Sequence, residues 1–221
     1  GGLRIGKRLE ERSPDEPYDP DLEWERDGQY YHYLTRWMHA LAQAGRVTGD
    51  FRYIEQGADL ALAAHAAFVH SPLRGQRRSL YWKMSVDLTR PLVASMGQHD
   101  ALDGYLTFVE LQAAGAAVRS GSRKLLVAEI SELAMICRGG GWETDDPLGI
   151  GSLLVDGSRM AQLMREGVLT DASMLSNILR AALPGLEMSS SSNLFDRTAE
   201  QRLAFRELGM AIGLKGVGLI R

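Results

Sequence analysis

Seven stretches of this 221-residue chain repeat their apolar residues at intervals of three and four, with short breaks of glycine, aspartate and proline between them. That spacing gathers apolar side chains on one helix face and rules out long alternating strands as the main element. The clearest case follows Trp24. Tyr30, Tyr33, Leu34, Trp37, Met38 and Leu41 share a side, which predicts a helix over 28–45 with Tyr33 and Trp37 in the core. Thr48-Gly49-Asp50 then breaks the chain, and Asp50 is placed to cap a second helix, 51–69, by accepting its free amide hydrogens.

The same plan returns downstream. Helices are expected at 101–117 and 122–138, the latter carrying Leu126, Ile130, Leu133 and Cys137 and stopped by Gly139-Gly140-Gly141. Another pair is expected at 147–165, opened by Asp146-Pro147, and at 172–188, capped by Asp171 and kinked or ended early by Pro184. A last helix, 198–215, carries the stripe Leu203, Phe205, Leu208, Ile212 and Leu214. This gives three helical hairpins and half of a fourth, a repeat architecture. Ser189 to Asn193 reads as a loop.

Two segments depart from the plan. Residues 1–23, with three prolines and many charges, read as an extended arm or linker. Residues 71–98 read as an inserted loop or lid, punctuated by Pro72, Gly75, Pro91 and Gly97, with a short strand possible over 80–86. A connection that long inside a compact domain is usually functional, and its Tyr81-Trp82-Lys83-Met84 centre argues against disorder.

Composition narrows the function classes. A net charge of −3 and a pI of about 6.0 offer no basic field for nucleic acid. No run reaches the roughly 18 apolar residues of a membrane span, and no secretory signal opens the chain, so a cytoplasmic protein is expected. The single cysteine, Cys137, falls on an apolar helix face and reads as core. With one cysteine and no close histidine pair, neither a metal site nor a cofactor is expected.

Asp27-Gly28-Gln29-Tyr30, Thr48-Gly49-Asp50 with Tyr53, and His99-Asp100-Ala101-Leu102 resemble the hairpin unit of the six-hairpin (α/α)6-toroid glycosidase-like superfamily. That superfamily includes unsaturated glucuronyl and rhamnogalacturonyl hydrolases and N-acylglucosamine 2-epimerases. The runs at 24–41, 81–104 and 202–214 are similar to a bacterial group within it. The resemblance implies an all-α chain, a single domain over 1–221, built as an (α/α) toroid with about seven of twelve helices. It further implies missing hairpins before Gly1 and one helix after Arg221, so the rest of its own ring would be a partner. The implied activity is that of a carbohydrate-active enzyme, hydrolase before sugar 2-epimerase, acting on a sugar or uronide at the toroid mouth. A helical-repeat binding module that does no chemistry is the alternative of a different class.

The candidate site follows from this. Asp27, Asp100 and Asp146 each stand just before an apolar helix. The resembling hydrolases use aspartates at inner-helix starts, which singles out Asp27 and Asp100 as an acid/base pair. His99 is a candidate proton shuttle. Helix capping is the simpler role for all three aspartates, above all for Asp146. Trp24, Tyr30 and Trp82 could stack on sugar rings, and His32, Lys83, Asp87, Arg90 and Asp103 could bind hydroxyls or a carboxylate. The charged residues around Trp82 could equally be each other's surface ion pairs.

Overall fold

The computed structural model describes residues 7–71, 77–117, 126–192 and 198–220. It is mostly helical, and the chain divides into two compact units, Gly1–Gly139 and Gly140–Arg221. Among the described residues no helix is long and apolar enough to cross a membrane. The expected helix start at 122, Pro72, Gly75 and Asn193 lie outside the described residues.

The first unit opens with a short helix, α1 (Pro20–Glu23), where the sequence predicts only an extended arm. Asp19 caps it by accepting from the amides of Asp21 and Leu22. Upstream, Leu9 bridges to Arg26 in parallel, and the Asp27 amide donates to the Leu9 carbonyl. The arm is therefore docked along the segment that leads into the first long helix.

That helix, α2 (Tyr31–Thr48), starts three residues later than the apolar spacing predicts. Gln29–Tyr30 instead form β1, which pairs antiparallel with β4 (Lys83–Met84). A tertiary partner thus captures the residues that would have made the first turn. Gly49, at φ +70, ends α2 in the left-handed region that glycine enters at low cost. Asp50 then caps α3 (Phe51–Phe68) as expected.

The inserted segment is more structured than a loop. β2 (Val69–His70) pairs with β3 (Ser79–Leu80), and β5 (Pro91–Val93) completes a three-stranded antiparallel sheet in the order β1-β4-β5. α4 (Asp100–Ala117) follows and is buried on nearly every side from Asp100 to Leu111. α5 (Val127–Cys137) closes the unit, with Leu126, Leu133 and Cys137 buried. Tyr31, Met38, Phe68, Leu102, Leu106 and Phe108 form the centre of this core. Trp37, expected in the core, is 52% exposed. α2 presents Leu34, Met38 and Ala42 inward, and that face turns Trp37 out.

The second unit holds α6 (Pro147–Arg165), α7 (Ala172–Ser191) and α8 (Ala204–Val217), with a 3₁₀ turn at Ala199–Gln201. Asp146 and Asp171 are the caps, accepting from the amides of Gly149 and Met174. α7 runs through Pro184 instead of ending there. Ala182 and Gly185 are buried on either side of it, and a Cβ on Gly185 would meet the Thr144 carbonyl at 2.2 Å. Close packing outweighs the lost hydrogen bond. α8 also departs from expectation. It buries Met210 and Gly213, and a Cβ on Gly213 would come within 2.5 Å of the Gly151 carbonyl. Glycine-to-glycine approach selects that face, so Phe205, Leu208 and Ile212 stay exposed.

Candidate functional site

The arm, α1 and the β4–β5 hairpin enclose a cleft of about 180 Å³ in the first unit. Tyr18, Trp24, Tyr30 and Trp82 line it with aromatic rings. Glu23 and Ser95 add polar groups, between Pro20 and Val93. The rings meet nearly at right angles. Trp24 and Trp82 lie 4.8 Å apart at 80°, and Tyr30 and Trp82 6.4 Å apart at 81°. Such edge-to-face packing fixes the cleft walls.

Below the cleft, Lys83 is fully buried. Its ammonium donates to the carbonyls of Glu23 at 2.7 Å and Arg26 at 2.8 Å, and lies 3.5 Å from the Glu23 carboxylate. It also sits 5.4 Å from the Tyr30 ring centroid. Burial lowers the Lys83 pKa, with the charge of Glu23 acting against it. Glu23, only 3% exposed, takes a second cation at 2.7 Å from Arg12. The lysine expected to reach a substrate carboxylate is thus spent on joining α1 to the sheet.

Asp87 and Arg90 are engaged within the fold in the same way. Asp87 closes the β4–β5 turn by accepting from Ser85 Oγ at 2.6 Å and from the Thr89 amide and hydroxyl. The Ser85 hydroxyl, then the Thr89 hydroxyl, hold its carboxyl down at about 2. Arg90 binds the arm through the Glu11 carboxylate at 3.1 Å and the Arg12 carbonyl.

Asp27 lies outside the cleft lining. It is 3% exposed, precedes β1 instead of a helix, and accepts from the Gly28 amide at 2.9 Å. Its side borders a smaller hollow of about 100 Å³ with Lys7 and Arg8. Helix capping is therefore not its role: Tyr30 occupies the cap position of α2. Burial, then the charges of Glu23 and Asp27, push the Tyr30 phenol up to about 12.

Asp100 belongs to a different group of residues. On α4, Asp100, Asp103, Thr107 and Glu110 recur at steps of three and four and are all buried. They face His32, Thr35, Arg36 and His39 on α2. Thr35 Oγ1 donates to Asp103 Oδ2 at 2.5 Å, Arg36 lies 3.4 Å from Asp103, and His39 Nδ1 lies 2.6 Å from Glu110 Oε2. Asp100 is the first residue of the helix, and its Oδ2 is buried without a hydrogen-bond partner among the described residues. Burial, then the Asp103 charge, raise its carboxyl to about 7, against the Gly97 amide and Arg36.

Two predicted histidines lie outside the cleft lining. His32 packs 5.7 Å from Tyr30, and its pKa is lowered by burial although Asp103 draws it up. His99 is half-buried, and its carbonyl accepts the Asp103 amide at 3.0 Å. The structure thus brings Trp24, Tyr30 and Trp82 together above buried Lys83, leaves Asp27 at a separate hollow, and groups Asp100 with Asp103. Sequence reasoning missed Tyr18 and Glu23 in the cleft, and Thr35, His39 and Glu110 in the seam. An acidic residue directly before Trp24 was the available signal for Glu23. Among the described residues, no group of three histidines, cysteines or carboxylates is placed to hold a metal. No family model matches the chain, and no similar curated protein or solved structure was found.

Proposed function

We propose that this chain is a carbohydrate-active protein, glycoside-hydrolase-like and built as part of an (α/α) toroid, that holds a sugar ring in the aromatic cleft. The observation that carries the reading is the convergence of Tyr18, Trp24 and Tyr30, from the arm through β1, with Trp82 before β4 on one cleft of about 180 Å³. Aromatic faces suit the C–H faces of a pyranose, and a few polar groups fix its orientation.

Glu23 is the carboxylate on the cleft wall, and the charge of Asp27 acts on the cleft tyrosine Tyr30. A hydrolytic pair must stand within about 5–10 Å of each other. Glu23, paired with Arg12 and Lys83, takes the role of base or charge stabiliser, and Asp27 that of acid. Asp100, whose carboxyl burial raises to about 7, stands beside Asp103 on α4 and outside the cleft lining. A binding module without chemistry is the second reading, favoured by the same two cations on Glu23.

A screen of glycans and unsaturated uronides tests the proposal. Trp24→Ala should weaken binding about tenfold without unfolding the chain, because this indole is 54% exposed and makes a cleft wall. Asp27→Asn should abolish turnover and spare binding, while Asp100→Asn keeps turnover. Binding without turnover selects the module. If no saccharide binds, the cleft has another purpose.

A further inference from the structure

The side of α8 turned away from α6 is apolar, and its spacing says what kind of element would cover it. Phe205, Leu208, Ile212 and Lys215 follow one another at steps of three, four and three, all of them exposed. Ala204 and Ala211, also exposed, flank this row one heptad apart. A seam with that spacing, edged by small residues, is a surface against which a second helix packs closely. We infer that α8 is the docking surface for a second copy of this chain, the two α8 helices pairing antiparallel about a two-fold axis between Leu208 and Ile212.

Charge selects both the occupant and the direction. Lys215 is the one charged side chain on this face among the described residues. A parallel pair would set the two lysines against each other inside the seam, where like charges repel. An antiparallel pair puts them at opposite ends, about 15 Å apart along the axis at the rise of an α-helix. Each lysine stem then lies against Phe205 of the other copy, with its ammonium at the rim. The end of α8 that it meets carries no net positive charge. Arg202 is paired with Glu207 and Arg206 with Asp146, and Glu200 stands exposed just before the helix. The same axis sets Leu208 against Ile212 and Ile212 against Leu208, so the seam is complementary to itself. A contact of about three helical turns falls short of the roughly 1,600 Å² of a stable interface, so the dimer is a transient one.

Sedimentation of the intact chain from about 1 to 300 µM, the range of a weak complex, tests the pairing. The mass should rise from 24.3 kDa toward twice that value. Leu208→Glu, at a position 61% exposed, should keep the melting temperature and raise the concentration of half-association about tenfold or more. Val47→Glu, at a position 86% exposed on α2, should leave association unchanged. Cross-linking reads the direction. Under mild oxidation, a mixture of Leu208→Cys and Ile212→Cys chains should form the mixed disulfide faster than either variant forms one with itself, the chain's own Cys137 being buried. Should Leu208→Glu unfold, the cross-linking decides alone. A mass that stays at 24.3 kDa throughout, association that Leu208→Glu leaves unchanged, or faster cross-linking of Leu208→Cys with itself overturns the inference.

Discussion

The aromatic cleft and the α2–α4 seam both concentrate polar groups in the first unit, yet they use them in opposite ways. In the seam, three side-chain contacts run from one helix to the other: Thr35 to Asp103, Arg36 to Asp103, His39 to Glu110. Around the cleft, the buried charges are drawn away beneath the surface, Lys83 and Arg12 onto Glu23, and aromatic rings are left facing the opening. Polar groups that satisfy one another specify packing, whereas rings that line an opening offer contact area to a ligand. The contrast also separates two aspartates with the same sequence signal. Asp27 precedes β1 and borders a hollow with Lys7 and Arg8, whereas Asp100 opens α4.

Lys83 gives the strongest way to break this comparison. Lys83→Ala removes the donor shared by two carbonyls and the Glu23 carboxylate, all inside the fold. Stranding buried acceptors in this way costs about 3–4 kcal/mol. Urea unfolding should show a loss of that size, together with lost sugar binding. Lys83→Met, which keeps the stem, should recover only part of it. A loss under about 1 kcal/mol would mean the cleft does not rest on this ammonium.

Asp100 sharpens the seam side through pH. Its carboxyl titrates near 7 when folded, above the ordinary value of 3.8 that the unfolded chain has. Between those values the folded state holds a proton that the unfolded state has released. Stability therefore falls as pH rises through that window and levels off above about 7. From pH 5 to pH 8 the parent should lose about 2–3 kcal/mol by this route. Asp100→Asn has no proton to release and should lack that slope. Parallel stability curves for parent and variant would remove Asp100 from the seam's energetics.

These two residues also show what a sequence can and cannot carry. Helix positions were legible because caps and three-to-four spacing are local: Asp50, Asp146 and Asp171 cap where the sequence puts them. The start of α2 was not, because Gln29–Tyr30 take their partner from Lys83–Met84, more than fifty residues on. An apolar stripe also does not say which helix face a neighbour will prefer, which is how Trp37 and the α8 stripe came to be exposed. Trp24 and Trp82 stood out as aromatics in polar, irregular segments, and the cleft unites them. Lys83, Asp87 and Arg90 stood out just as clearly. A charge reads the same whether its partner is a ligand or the protein, and here each is bound by the protein. Tyr18 and Glu23 were hidden because the arm has no period from which to infer a face.

The smallest expected effect is at Thr35, where the seam can be tested without touching a charge. Its hydroxyl has one hydrogen and two acceptors within reach, the His32 carbonyl at 2.8 Å and the Asp103 carboxylate at 2.5 Å. A charged acceptor makes the stronger hydrogen bond, so the proton goes to Asp103 and joins α2 to α4. Thr35→Val keeps the shape and removes the donor, leaving a buried carboxylate oxygen short of one bond. Removing one partner of a buried hydrogen bond costs about 1–2 kcal/mol. Thr35→Ser restores the hydroxyl and should recover most of that loss. Because Thr35 is fully buried and away from the cleft lining, sugar affinity should stay unchanged in both variants. Unfolding measured beside binding tells the two regions apart: a Thr35→Val chain that keeps its stability and loses its ligand would mean that the seam, not the cleft, meets the sugar.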